Sequence, residues 1–230
     1  MFLPLHDKNP LRVIPFQLVT FSIITLCVAV FLYQQVLQGE QEQAFLLSYG
    51  MLPAVLFDHR ELAPELALLP AELTLLSSMF LHVGWMHLIG NMAFLWVFGD
   101  NVEDSMGHWR FLLFYLACGV IASFAHALAQ SDSISPLIGA SGGVSGVIGA
   151  YLMLHPRVKI IVLVLMRVPL RLPAYWIIGF WIGLQIFSIF TGVEDNTAWW
   201  AHIGGLIAGA IMIPFFKRES VPLFDRGTQH

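Results

Sequence analysis

The chain has 230 residues, of which 57% are hydrophobic and 11% are charged, and its mean hydropathy is +0.75. Soluble domains carry about 25% charged residues, so this chain lacks the charge to cover a globular surface in water. Its net charge of −4 is confined to short segments and indicates no nucleic-acid partner. The composition therefore predicts a multi-pass integral membrane protein.

Six apolar stretches approach the length of about 20 residues that a spanning helix needs. In chain order they cover about 13–37, 77–98, 111–128, 137–154, 173–190 and 199–216. The run IIVLVLM at 160–166 is too short to span, and we read it as the start of a bent fifth element or as an interfacial segment. We predict an all-α membrane protein, with a six-helix bundle over 1–216 and a short polar tail over 217–230.

Basic residues collect in short cytoplasmic loops, and this rule gives the orientation. With the N-terminus inside, ten of the eleven Lys and Arg residues fall in inner segments and only Arg60 falls outside. We therefore expect both termini to be cytoplasmic, in the plasma (inner) membrane. The outer loop 38–76 is long, and its stretch PELALLPAEL predicts a short amphipathic helix.

Polar side chains at membrane depth are costly, so each is a candidate for function. They are His82, His87 and Asn91 on the second span, Ser141 and Ser145 on the fourth, and His202 on the sixth. These three spans all start at the outer side in the predicted topology, so the polar groups share one outer layer. His126, late in the third span, is read as an interface residue.

The stretch GASGGVSGVIGA, 139–150, allows two readings. Glycines four residues apart most often mean close helix packing, and a lone membrane serine usually bonds its own backbone. The shared depth favours a reactive serine in addition, so we predict a reactive turn at Ser141 that is followed by a packing face. The glycines at 139 and 142 flank Ser141 and would let a substrate backbone come near it.

The polar layer can be assigned to acyl-transfer chemistry. A serine hydroxyl needs a base to take its proton, and His202 has the matching depth for Ser141. Asn91, His87 and the backbone N–H of Ser141 could donate to an oxyanion. The acidic pair 194–195 is read as solvated loop charge, so we predict a Ser–His dyad rather than a triad.

Three motifs then carry a resemblance to the rhomboid intramembrane serine proteases. HLIGN is similar to the family's His-x-x-x-Asn, GASG to its Gly-x-Ser-Gly and AHIGG to its Ala-His-x-Gly-Gly, on alternate spans within about 49–209. The resemblance implies hydrolysis of peptide bonds within or next to a transmembrane segment of a membrane-protein substrate in the bilayer. It implies Ser141 as nucleophile, His202 as general base, His87 and Asn91 around the oxyanion, and His82 as a structural histidine. We expect no cofactor and no metal.

Two features depart from the family pattern. Some members carry an aromatic residue four positions after the nucleophile, where this chain has Ser145, so the resemblance does not say how His202 is oriented. Some carry a Trp-Arg pair in the first outer loop, where this chain has His59-Arg60.

Two other functions stay open from the sequence. One is a non-catalytic rhomboid-like membrane protein that binds client helices, although the serine and histidine are both present. The other is a metal or haem protein that uses the histidines, which lacks the carboxylates or thiolates expected nearby. The substrate and the oligomeric state are not indicated.

Overall fold

A computed structural model describes residues 2–164, 167–191 and 198–225, apart from the side chains of Phe2 and Ile189. The helices are α1 (Leu18–Val36), α2 (Glu40–Tyr49), α3 (Pro53–Leu56), α4 (Ala71–Ser77), α5 (Trp85–Met106), α6 (His108–Ala129), α7 (Ser141–Leu154), α8 (Ala174–Thr191) and α9 (Trp199–Phe216). A 3-10 turn, Ser78–Phe80, separates α4 from α5. The strands are β1 (Phe2–Asp7), β2 (Lys159–Val164) and β3 (Val168–Pro173).

The helices fit a membrane protein. In the described ranges, three of them are each long and apolar enough to cross a bilayer alone: α1, α6 and α9. Residues 71–80 and α5 form a fourth candidate only when taken together, and they are bent by 84°. α7 and α8 are apolar but shorter. Each of the six predicted spans contains one of these helices. That all six cross the membrane, and that both termini are cytoplasmic, stay predictions.

The second span differs from its predicted bounds of 77–98, because α5 begins at Trp85 and continues to Met106. Its last turns stay inside the protein because the carboxylates of Glu103 and Asp104 are paired with donors in the segment around the start of α1. The donors are the backbone N–H groups of Val19 and Thr20 for Glu103, and those of Arg12, Val13 and Ile14 for Asp104. A buried carboxylate is tolerated when it is hydrogen-bonded in this way.

The run 160–166 is a strand over its described part, rather than a bent helix start or an interfacial segment. β2 lies between β1 and β3 and is antiparallel to both. β-branched residues suit a pleated, half-buried surface, and Ile160 and Val162 are buried here. Residues 165–166 lie outside the described ranges. The fold is therefore mostly helical rather than all-α.

The long segment 38–76, predicted as an outer loop, contains α2, α3 and most of α4. The amphipathic helix predicted over PELALLPAEL is present only from Ala71 onward, and it continues to Ser77. Pro70 directly precedes it. A proline lacks the N–H for a helical bond and its ring clashes with the preceding turn, so the helix cannot extend back through it.

α7 lies at the centre of the bundle and packs closely on α9. A Cβ added to Gly205 would overlap the carbonyl oxygen of Gly142, and one added to Gly209 would overlap that of Gly146. The two contacts follow each other in the same direction along both helices, so α7 and α9 run parallel. Small residues allow this approach of backbones, as the glycine spacing predicts.

The chain after α9 turns back onto the bundle. The backbone N–H of Arg218 donates to the Ser105 carbonyl at 2.9 Å, and that of Phe224 donates to the Met153 carbonyl at 2.7 Å. The division into a bundle and a tail at residue 217 stays a prediction.

Candidate active site

Ser141 and His202 lie at the same end of the parallel α7–α9 pair. Ser141 is the first residue of α7, directly before Gly142, and His202 stands one turn before Gly205 on α9. The contact between these two glycines therefore brings the serine and histidine to one level. Both side chains line one cavity of about 1690 Å³. Asn91 and His87 line it as well.

The turn before Ser141 lies against α5. Gly139 has φ +129°, a backbone conformation that favours glycine, and its N–H donates to the Ser78 carbonyl at 2.9 Å. A Cβ at Gly139 would lie 2.6 Å from Cε1 of His87 and 3.8 Å from Nδ2 of Asn91. The first glycine of GASG thus brings the serine turn against the His-x-x-x-Asn face.

The amide of Asn91 is a buried donor. The residue is 8% exposed, and its Nδ2 finds no acceptor among the residues that the structure describes. An unmade hydrogen bond of a buried amide costs about 1–3 kcal/mol. A donor kept in this state at the cavity suits an acceptor that arrives with a ligand. The N-terminal backbone N–H groups of α7, which have no partner within the helix, lie at the same end.

Among the residues that the structure describes, Gln185, Trp181 and Trp199 contact His202, and sequence analysis did not assign any of them. Its Nδ1 lies 3.2 Å from Oε1 of Gln185 on α8. Its ring lies 5.8 Å from that of Trp181, tilted by 33°, and 6.1 Å edge-on from that of Trp199. A polar residue inside an apolar span is the sequence signal that could have indicated Gln185.

Ser145 does not take the place of the aromatic residue found in some family members. Its hydroxyl donates to the Ser141 carbonyl at 2.6 Å, and the residue is 1% exposed. A Cβ on Gly205 would stand 3.2 Å from that of Ser145. Ser145 therefore bonds its own helix and packs against α9.

The two other histidines named from the sequence, His82 and His126, differ in their surroundings. His82 is buried and packs edge-on against the ring of His87, with centroids 5.1 Å apart. The backbone N–H and carbonyl of His82 pair with the side-chain amide of Gln34 on α1. His126, which the sequence suggested as an interface residue, lines the cavity.

No group of three or more His, Cys, Asp or Glu side chains within the described ranges could hold a metal ion. The acidic pair Glu194 and Asp195, expected as loop charge, lies outside those ranges.

The cavity continues away from Ser141 as an apolar cleft between α5 and α8. Phe94 and Met86 line it from α5, and Trp176 and Phe180 line it from α8. Leu3 of β1 lines it as well, together with other residues of the sheet. A site with one polar end and a long apolar cleft suits an apolar polypeptide segment that presents one carbonyl to the serine.

A model of the rhomboid domain matches residues 71–219, which is more than half of the chain. The chain is 36% identical over 135 residues to the rhomboid protease GluP of Bacillus subtilis, which covers 59% of this chain and 24% of that protein. It is 29% identical over 154 residues to RHOMBOID-like protein 12, mitochondrial, of Arabidopsis thaliana, covering 60% and 44%. It is 26% identical over 150 residues to Rhomboid protein 1, mitochondrial, of Saccharomyces cerevisiae, covering 61% and 41%.

The match covers less than half the length of each of these relatives. Two of these relatives are named as mitochondrial proteins, so the similarity does not support the predicted plasma-membrane location. The family match and the apolar helices support an integral membrane protein. With a family model matched over most of its helical bundle, this chain belongs to the rhomboid family.

Proposed function

We propose that the chain is a serine endopeptidase that cleaves membrane proteins within or next to a transmembrane segment. The observation that carries the proposal is the close parallel packing of α7 on α9, which brings Ser141 and His202 to one end of a shared cavity. A serine hydroxyl becomes a good nucleophile when a base takes its proton, and His202 is the base that lines the cavity with Ser141.

The first half of the reaction forms an acyl-enzyme. Nε2 of His202 takes the proton of the Ser141 hydroxyl while Oγ attacks the scissile carbonyl carbon. The electron pair of the carbonyl moves to its oxygen, and the Asn91 amide and the His87 ring donate to that oxyanion. The oxyanion then collapses, the C–N bond breaks, and the His202 imidazolium gives its proton to the leaving amine.

Water completes the cycle. His202 takes a proton from a water molecule, whose oxygen attacks the ester carbonyl, and the proton then returns to Oγ of Ser141 as the ester breaks. The apolar cleft between α5 and α8 gives a transmembrane segment of the substrate a path to the serine.

Labelling by a fluorophosphonate probe tests the nucleophile and the base. We expect the wild-type protein in detergent to be labelled and to cleave a transmembrane substrate. Ser141→Ala should lose both activities, and His202→Ala should lose labelling although the serine is present. Ser145→Ala is the matched control, because this hydroxyl bonds only its own helix and should be dispensable.

The same experiment separates the enzyme from a non-catalytic protein that binds client helices. Such a protein would bind the substrate but give neither probe labelling nor cleavage. Equal labelling of wild-type protein and Ser141→Ala would contradict the nucleophile assignment.

The oxyanion role of Asn91 rests on its unmade hydrogen bond at the cavity. Asn91→Ala should lower the turnover number by about 10²–10³-fold, the usual effect of removing one oxyanion donor. An unchanged turnover number in a folded variant would reduce Asn91 to a packing residue.

For the orientation, we propose cytoplasmic termini and an active site near the outer face. A cysteine at Asp132, in the loop before α7, should react with an impermeant thiol reagent added outside. A cysteine at Arg157, after α7, should react only after permeabilisation. The native Cys27 and Cys118 are fully buried and should stay silent. The reverse pattern would overturn this orientation.

A further inference from the structure

We propose that Gln185 of α8 is a positioning residue for His202. This inference rests on the proposed function. It starts from the 3.2 Å approach of the Gln185 Oε1 to the His202 Nδ1. The partner is held by a different helix from the one that carries the base.

The burial of Gln185 indicates that its side-chain amide makes a specific hydrogen bond. The residue is 2% exposed, and an amide buried in an apolar helix is costly unless it is hydrogen-bonded. Between residues 179 and 191, Gln185 is the one buried side chain among those that the structure describes on α8. The outer half of α8 therefore contacts the bundle most closely through this amide.

The contact selects one tautomer of the neutral imidazole. Oε1 of an amide can only accept a hydrogen bond, so Nδ1 of His202 must carry the proton. Nε2 then has the lone pair that takes the proton of Ser141. When the imidazolium forms, Nδ1–H keeps its bond to Oε1, so the ring does not turn between the two proton transfers. An aspartate does this in serine-protease triads with added charge.

Three further residues at the site, Ser145, Trp181 and Trp199, do not supply this function. Ser145, at the position where some family members have an aromatic residue, uses its hydroxyl on the Ser141 carbonyl. Trp181 and Trp199 contact the ring through their own rings and limit its tilt. Neither indole offers an acceptor, because its nitrogen is a donor only.

The position of Gln185 also links the base to the substrate cleft. α8 forms one wall of that cleft, and Gln185 itself lines the cavity together with Trp181. Outward displacement of the outer half of α8 would remove the acceptor from Nδ1. The orientation of His202 thus depends on the helix past which a transmembrane segment must enter.

Two variants of Gln185 and one control test the inference. Gln185→Leu keeps the approximate shape and removes the acceptor, whereas Gln185→Glu keeps an acceptor oxygen. Phe187→Leu alters an exposed residue of the same helix that does not line the cavity. The readouts are kcat and KM for a transmembrane substrate, the rate of fluorophosphonate labelling against pH, and thermal unfolding in detergent.

We expect Gln185→Leu to lower kcat and the labelling rate by about 10–10²-fold with little change in KM, since a misplaced base slows the chemistry. Gln185→Glu should restore most of the activity. Its acid limb of activity should move to higher pH, because a carboxylate stabilises the imidazolium. Phe187→Leu should behave as the wild type.

Wild-type kcat and labelling in a folded Gln185→Leu protein would overturn the inference, as would a change in KM alone. If Gln185→Leu does not fold, an acid limb at the wild-type pH in Gln185→Glu overturns it. If the proposed function itself is wrong, the result differs from these outcomes, because the wild-type protein would be labelled no faster than Ser141→Ala.

Discussion

Replacing Gly139 by alanine should impair catalysis without unfolding the protein. The new Cβ would stand 2.6 Å from Cε1 and 2.8 Å from Nε2 of His87. Carbon atoms pack at about 3.5–4.0 Å, so the ring and the serine turn must separate by about 1 Å. The φ of +129° adds backbone strain on the order of 1–3 kcal/mol.

A shift of this size acts on the reacting groups directly. His87 and Asn91 belong to one helix face, and Gly139 stands two residues before Ser141. Moving the proposed oxyanion donors about 1 Å from the proposed nucleophile can cost about 10²-fold in rate. We therefore expect Gly139→Ala to lower the turnover number by about 10–10²-fold, measured by cleavage of a transmembrane substrate in detergent.

Gly39 provides a matched control. It also has a positive φ, +55°, but a Cβ there would have no atom within 4 Å. Gly39→Ala should lower the midpoint of thermal unfolding slightly and leave turnover at the wild-type value. If Gly139→Ala is folded and turns over as fast as Gly39→Ala, the contact with His87 does not position the oxyanion donors.

Three further predictions concern stability and packing. Asp104→Ala removes the acceptor of three backbone N–H groups and should lower the free energy of unfolding by on the order of 3 kcal/mol, measured by thermal unfolding in detergent. Burial lowers the pKa of His155 from 6.5 to about 4, so below pH 6.5 the unfolded chain binds a proton that the folded protein does not. This group therefore costs stability as the pH falls from 6.5 towards 4, by about 1 kcal/mol at pH 5.5. His155→Gln should remove this contribution, and so reduce the difference between the free energies of unfolding at pH 5.5 and 7.5. Gly209→Ala would place a Cβ on the Gly146 carbonyl oxygen and should lower both the unfolding midpoint and the probe labelling, whereas Gly183→Ala, with no atom within 4 Å, should change neither.

The parts of the site that the sequence predicts are those that lie in short motifs. Asn91 and His87 are four residues apart, and a helix places that spacing on one face whatever surrounds it. Glycines four residues apart on 142–146 and 205–209 predict close packing, and this packing is what brings α7 against α9. Local spacing was sufficient here because each helix supplies its groups from within one or two turns.

Features that depend on distant pairing could not be read in the same way. β2 pairs with β1, whose residues are more than 150 positions away, and an apolar run of that length fits a helix or a strand equally well. The charged end of α5 resembled a loop because Glu103 and Asp104 are costly to bury alone. Their donors come from the segment around the start of α1, and no periodicity along α5 indicates them.

Gln185 falls between these two cases. Its polarity inside an apolar span was visible, and in the predicted topology it lies in the same layer as Ser141 and His202. What the sequence could not give is the rotation of α8 that aims the amide at the ring. The depth of a residue in the membrane follows from counting along its helix, whereas the direction of its side chain depends on how neighbouring helices pack. The sequence therefore predicts which residues of a membrane site share a depth more easily than it predicts which of them are in contact.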